Sequence, residues 1–235
     1  MAKIFLKKAE GDDGEHWLTI SDLMSGLMIV FLFIAVAFMR HTAMEKDKIT
    51  NIAVAYQENQ VAIFNALNIE FEKDLPLWNA SIDNETLSFQ FNSPEVLFNA
   101  GDSEINGKFK SILSDFIPRY LNVLEQYKSS IDEVRIEGHT STEWGRGTQR
   151  DDAYFLNMEL SQGRTRSVLR YAYGLPLISV EQKNWIKSNF AAVGFSSSKA
   201  ILGIDGSEDM DRSRRVTFRV ITNADIQIRK IVTGL

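Results

Sequence analysis

The 235-residue sequence is 44% hydrophobic and 24% charged, carries a formal net charge of −5, and has no cysteine. Without cysteine there are no disulfides, thiolate metal sites, catalytic thiols or lipidated-cysteine anchors, and the mildly acidic balance gives no electrostatic reason to expect nucleic acid. Nothing repeats at a fixed period, and 4 prolines with 14 glycines exclude a collagenous or proline-rich stalk.

Residues 1–16 form a polar head that holds Lys3, Lys7 and Lys8 beside the acids Glu10, Asp12, Asp13 and Glu15. Trp17 to Met39 follows, a run of 23 residues of which 18 are apolar, with no lysine or arginine. About 20 such residues cross the hydrocarbon of a bilayer, so 17–39 is predicted to be a single transmembrane helix. A cleaved secretory signal is the competing reading, since Ala35-Val36-Ala37 fits an A-x-A site. The run is long for that purpose, and Asp22 interrupts it. Basic residues lie on both sides of the span, the three head lysines facing Arg40, Lys46 and Lys48, so charge alone does not orient it.

Asp22 is the informative residue of this run. A carboxylate at membrane depth costs about 2.5–3.5 kcal/mol even on lenient insertion scales, so it generally faces a partner helix or a water-filled path. Ser21, Ser25 and Gly26 surround it with the small positions that allow helices to approach closely and admit water, or that simply pack. Asp22 lies five residues inside the run, about 7 Å at the helical rise, so snorkelling to the interface is the alternative.

Residues 40–80 read as a helical connector. Between 43 and 73 there is no glycine or proline, and Ile49, Ile52, Tyr56, Ile63 and Leu67 recur at spacings of three, four or their sum. That stripe suits a second copy of the chain, a membrane surface or the domain that follows.

From 81 to 235 the pattern becomes that of an α+β domain. Thr86 to Phe91 alternates as a strand should, ending at Ser93-Pro94. Phe109, Ile112, Leu113, Phe116, Ile117, Tyr120, Leu121 and Leu124 predict a helix of about 18 residues with a broad buried face, kinked at Pro118. Glu133 to Gly138 is a second strand, Leu156 to Tyr173 a second helix closed by Gly174-Leu175-Pro176, and Ala191 to Phe195 and Arg215 to Ile221 are two more strands. This order predicts a small mixed four-stranded sheet covered by helices on one face.

Within this domain Glu137-Gly138-His139-Thr140, Asn157-Met158-Glu159-Leu160-Ser161-Gln162-Gly163-Arg164 and Arg212-Ser213-Arg214-Arg215-Val216 resemble the G-H-T-D, N-x-x-L-S-x-x-R and N-R-R-V landmarks of OmpA-like peptidoglycan-binding domains. The resemblance implies that Arg164 grips a carboxylate of the wall peptide's diaminopimelate, and a guanidinium fork suits that task. It also brings Asn157, Leu156, Leu160, Ser141 and Arg214 into the expected site. The family's aspartate, which grips the ammonium, is replaced by Ser141; Glu143, Asp151 and Asp152 are the nearby acids able to supply its charge. His139 reads as a structural residue at a strand end, since no serine and acid are arranged around it. Strand alternation separates Arg214, near the site, from Arg215, which packs structurally.

The span carries a second resemblance. Ser21 to Leu32 (SDLMSGLMIVFL) is similar to the A-D-F-M-T-A-M-M-A-F-F-L helix of MotB, the ion-carrying stator subunit of the flagellar motor. A membrane helix with an early aspartate ahead of an OmpA-like domain is shared by MotB and by ZorB, the stator-like subunit of Zorya anti-phage defence systems. The short chain, the D-L-M-S-G-L-M variant and the shifted wall-binding loop favour ZorB over a flagellar subunit.

This resemblance implies an inner-membrane protein with a cytoplasmic N-terminus and a periplasmic domain. It implies a homodimer, peptidoglycan as the anchor, and a MotA-like (ZorA-like) multi-span partner, five copies around two of this chain. Asp22 then accepts the coupling ion, and each elementary charge crossing about 100 mV yields about 2.3 kcal/mol. Protons are favoured, because Leu27 to Met39 offers no further oxygen-bearing side chain, though a carboxylate with hydroxyl neighbours also suits sodium. A passive wall tether is the reading from a different class. An enzyme is the weakest, since His16, His41 and His139 are scattered and no metal-ligand or paired-carboxylate pattern is present. No cofactor or metal is expected.

Overall fold

The computed structural model describes residues 13–92, 97–99, 101–145 and 147–223, so most of the expected N-terminal tail and the Ser93-Pro94 stop lie outside the described residues. The chain divides into two units, Met1–Asn51 and Ile52–Leu235. The first element is a single helix, α1 (Asp13–Phe71, 59 residues), unbroken at the boundary expected near residue 40. It is long and apolar enough to cross a membrane.

In the first unit every described side chain is exposed, Trp17 and all of Ile20 to Thr50. A helix that presents Leu, Ile, Phe and Val on all sides finds its favourable environment in lipid.

In the second unit the end of α1 belongs to a core. Ile63 and Leu67, the last two residues of the predicted connector stripe, are fully buried together with Phe71. Of the occupants open to that stripe, its C-terminal half takes the following domain, while Ile49 stays 37% exposed. Arg119 fastens this end: its Nε donates to Glu70 Oε1 at 2.6 Å, Nη2 to Asp74 Oδ2 at 2.8 Å and Nη1 to Asp115 Oδ2 at 3.0 Å. Its guanidinium also lies 4.7 Å from the centroid of the Phe71 ring, a cation over a π face.

Among the described residues the sheet has five strands, β1 (Ala80–Asp83), β2 (Ser88–Asn92), β3 (Ile131–His139), β4 (Phe190–Gly194) and β5 (Arg215–Thr222), in the order β1-β2-β5-β3-β4. Four were expected; the additional one, β1, is a four-residue edge strand with a single large apolar residue, Ile82, too short to show alternation. Only β3 and β4 run parallel; the other pairs are antiparallel.

Phe89 and Phe91 of β2, Val134 and Ile136 of β3 and Val216, Phe218 and Val220 of β5 point to the core, as period-two strands require. Helix α2 (Gly107–Glu125) covers them. Asn106 caps it by accepting from Phe109 N, and all eight apolar residues of its predicted face are buried. Pro118 lies inside this helix, which continues to Glu125. Phe116 is the hub, its ring 4.6 Å from Phe89, 5.1 Å from Phe91 and Phe218, and 5.2 Å from Phe71. Rings at such spacings add attraction beyond the area they bury.

The second long helix, α3 (Arg150–Gly174), starts six residues earlier than the periodicity placed it. A further helix, α4 (Val180–Asn189), was not expected; it opens on a capping box in which Ser179 accepts from Gln182 N and the Gln182 side chain answers to Ser179 N. One turn, α5 (Met210–Ser213), precedes β5.

Candidate functional site

Two glycines decide where α3 sits. A Cβ on Gly138 of β3 would stand 2.7 Å from the Ser161 carbonyl oxygen, and one on Gly194 of β4 would stand 2.6 Å from the Gln162 backbone nitrogen. The helix therefore lies on bare backbone, and its buried polar face follows. Asn157, Ser161, Arg164 and Thr165 are all buried, an unusual set for one helix face. Ser161 Oγ accepts from Ser196 N at 3.2 Å, and Ser196 Oγ donates to Tyr154 O at 2.7 Å, so the loop after β4 is tied to α3.

The loop after β3 is tied as well. Asn157 Nδ2 donates to the carbonyls of Ser141 and Glu143, each at 3.2 Å, and Thr140 N donates to Ser196 O at 2.9 Å. Thr142 N and Oγ1 donate to the Glu208 carboxylate. Asn157 thus shapes the site through backbone carbonyls.

Between this loop, α3 and the segment after β2 opens a cleft of about 330 Å³. Ser141, Asn157, Leu160, Arg164 and Arg214, all expected from the sequence, line it. Leu156 does not; it lines an adjoining cleft of about 270 Å³. Of the three acids able to replace the missing aspartate, Glu143 lines the main cleft, whereas Asp151 and Asp152 are exposed in the first turn of α3. There they complement the helix dipole. Sequence reasoning missed Phe98, Gly101 and Trp144, which also line it. Phe98 and Gly101 come from a segment far from α3 in sequence, and no local pattern marks them.

Arg164 is the electrostatic centre. It is 8% exposed, its Nε donates to Asp102 O at 2.9 Å and its Nη2 to Asn99 O at 3.4 Å, and its guanidinium lies 4.9 Å from the Phe98 centroid. Burial pulls its pKa down to about 10; the Asp102 charge opposes the drop, and the Arg214 cation adds to it. A buried guanidinium held by carbonyls and a ring, next to a second cation, favours an anion in the cleft.

Arg214 reaches the cleft wall while its Nη2 donates to Asp211 Oδ1 at 2.6 Å. Arg215 instead donates to the carbonyls of Ser213 at 3.1 Å and Lys199 at 3.2 Å. His139 is 5% exposed, stacks on Phe195 at 5.3 Å with planes 9° apart, and places Nε2 3.5 Å from Glu137 Oε2. Burial pushes its pKa below the ordinary value, against the pull of Glu137.

In the first unit Asp22 projects from the apolar surface of α1, and the Ser25 hydroxyl donates back to Ser21 O at 2.8 Å. That bond satisfies the hydroxyl hydrogen and leaves Ser25 Oγ lone pairs one turn from the carboxylate. No cluster of three or more metal-ligating side chains occurs among the described residues.

No protein-family profile matches the chain. It is 58% identical over 220 residues to Zorya protein ZorB of Escherichia coli strain Crooks, covering 94% of this chain and 93% of that protein. A second Zorya protein ZorB, from the ETEC strain of Escherichia coli, is 25% identical over 224 residues, 92% of this chain and 84% of that protein. Among solved structures, a MotB-like protein from Desulfovibrio vulgaris superposes with a TM-score of 0.48 at 20% identity, over 69% of this chain and 91% of that one.

Proposed function

The chain belongs to the ZorB family of Zorya proteins, and from that premise we propose that it is the ion-carrying, wall-anchored subunit of a MotA/MotB-like membrane motor serving anti-phage defence. Membership of the ZorB family supports the Zorya reading over a flagellar stator. In this reading α1 crosses the inner membrane with its N-terminus in the cytoplasm, two copies sit inside a ring of multi-span partner subunits, and the sheet domain holds peptidoglycan in the periplasm.

The observation that carries the reading is Asp22, the one ionisable side chain between Ile20 and Met39, a stretch of α1 in which every side chain is exposed. An uncompensated carboxylate in hydrocarbon is disfavoured unless a partner or a bound ion neutralises it. Binding of a proton from the periplasmic side and its release to the cytoplasmic side change which partner surface the helix prefers. Ser21 and Ser25 support that exchange. Movement of the partner ring requires a stationary counterpart, and the cleft supplies it: Arg164 takes a carboxylate of the wall peptide, and Glu143 takes the ammonium that the family's missing aspartate would hold.

Asp22→Asn tests the first half. The variant inserts and accumulates normally, and phage protection and proton flux in partner-containing vesicles are lost; full protection would reduce the chain to a passive tether. Arg164→Lys tests the second half, since it keeps the charge and loses the fork. Sedimentation with purified sacculi should weaken on the order of tenfold, about 1.4 kcal/mol, at a temperature where circular dichroism shows the variant still folded. Undiminished binding would return Arg164 to a structural role.

A further inference from the structure

The cleft that contains Arg164 does not end at its own rim. Gly101, Trp144 and Leu160 line it and also line the adjoining cleft of about 270 Å³. Trp144 stands in the shared wall, half-buried, on a loop whose preceding backbone is pinned by Asn157 at Glu143 O and by Glu208 at Thr142 N, each at 3.2 Å. Beyond it Gly147 takes a φ of 86°, in the left-handed region. A large aromatic held on a fixed backbone and left partly open is a preformed platform, which spares a ligand the cost of ordering it.

The second cleft has a distinctive surface chemistry. Leu156 and Leu160 give it an apolar floor beside Gly163, while Ser103, Glu159 and Arg166 supply donors and acceptors at its edge. The face of an indole carries negative π density, which attracts the weakly positive C–H bonds presented by one face of a pyranose, and hydroxyls project from the edge of the same ring. An indole and two leucines in one cleft with Ser103, Glu159 and Arg166 match that division.

We propose that Trp144 is a stacking platform for a sugar ring, so that one ligand occupies both clefts, its peptide at Arg164 and its glycan over Trp144. The proposal rests on the reading of the first cleft as a wall-peptide site and extends it to a carbohydrate subsite.

Calorimetric titration of the full chain in mild detergent separates the two claims, with the free stem tetrapeptide and the same tetrapeptide on its disaccharide as probes. The disaccharide form should bind on the order of tenfold more tightly, the scale of one aromatic stacking contact. Trp144→Ala should erase that increment, bringing the two probes to equal affinity whatever it does to the peptide through the shared wall, and Trp144→Tyr should restore part of the difference. Equal affinity for the two probes in the unmodified protein, an increment that survives Trp144→Ala, or an equal loss for both probes would overturn the sugar subsite while the peptide site stands. Binding of neither probe would overturn the peptide reading, and the subsite with it.

Discussion

Phe33 in the N-terminal unit is 70% exposed, and Leu177, in the turn between α3 and α4, is 76% exposed, yet the two exposures have opposite meanings. Around Phe33 every neighbouring side chain is also exposed and apolar, so the surface itself is the hydrophobic element and an apolar surrounding, lipid or the membrane helices of a partner, is what satisfies it. Around Leu177 the apolar mass lies in the Phe116-centred core, and a single exposed leucine is ordinary. Charge follows the same inversion. In the span one acid is an expensive exception, whereas in the domain cations and acids gather around one cleft. The same side chain therefore has no fixed role until its solvent is known.

That contrast can be broken by substitution. The largest effect should come from the span, where Phe33→Lys adds about 3 kcal/mol to the insertion free energy and removes the protein from the membrane fraction. Leu177→Lys, the matching apolar-to-lysine exchange at comparable exposure, should leave the melting temperature of the domain unchanged, within about 0.5 kcal/mol. Equal effects at both positions would show that the span does not enter the membrane. Next comes Gly194→Ala, because a methyl group 2.6 Å from a backbone nitrogen forces α3 off the sheet. It should lower unfolding stability by about 3 kcal/mol and weaken sacculus binding, since Asn157 and Arg164 ride on that helix.

The smallest effect is a pH dependence. Burial holds the His139 pKa below its ordinary value near 6.5, so the unfolded chain binds the proton more readily than the folded one. The stability tied to neutral His139 is present above that ordinary value and is lost as the pH falls through the lower folded one. Glu137 opposes this loss, while Arg215 and Lys199 deepen it. Denaturant titrations from pH 7 to 5 should show a gentler decline for His139→Gln than for the unmodified protein, and identical slopes would discount the histidine.

Legibility followed the strength of local pattern. The buried face of helix α2 was readable residue by residue because it is apolar and periodic, whereas α3 hides its buried face behind Asn157, Ser161, Arg164 and Thr165. Its first turns are polar and Gln149 gives no capping bond, so its start was placed late. Helix α4 buries only Ile186, yet Ser179 and Gln182 announce its capping box in the sequence, a signal that was there to use. At the cleft, the residues on α3 and before β5 were readable from their landmarks, and the contributions of Phe98, Gly101 and Trp144 were not. Those arise from loops brought together by tertiary structure, which leaves no spacing to read.

One join has a mechanical meaning. Ile63, Leu67 and Phe71 are at once the final turns of α1 and buried members of the domain core, and Arg119 of α2 holds the same turns through Glu70 while also pairing with Asp74 and Asp115. A tether that hung from the domain by loose chain would stretch before it transmitted force. Here tension on the last turns of the helix is received directly by packed side chains, and they yield together with the core to which they belong. Under the proposed function, the strength of the anchor is therefore the strength of the fold.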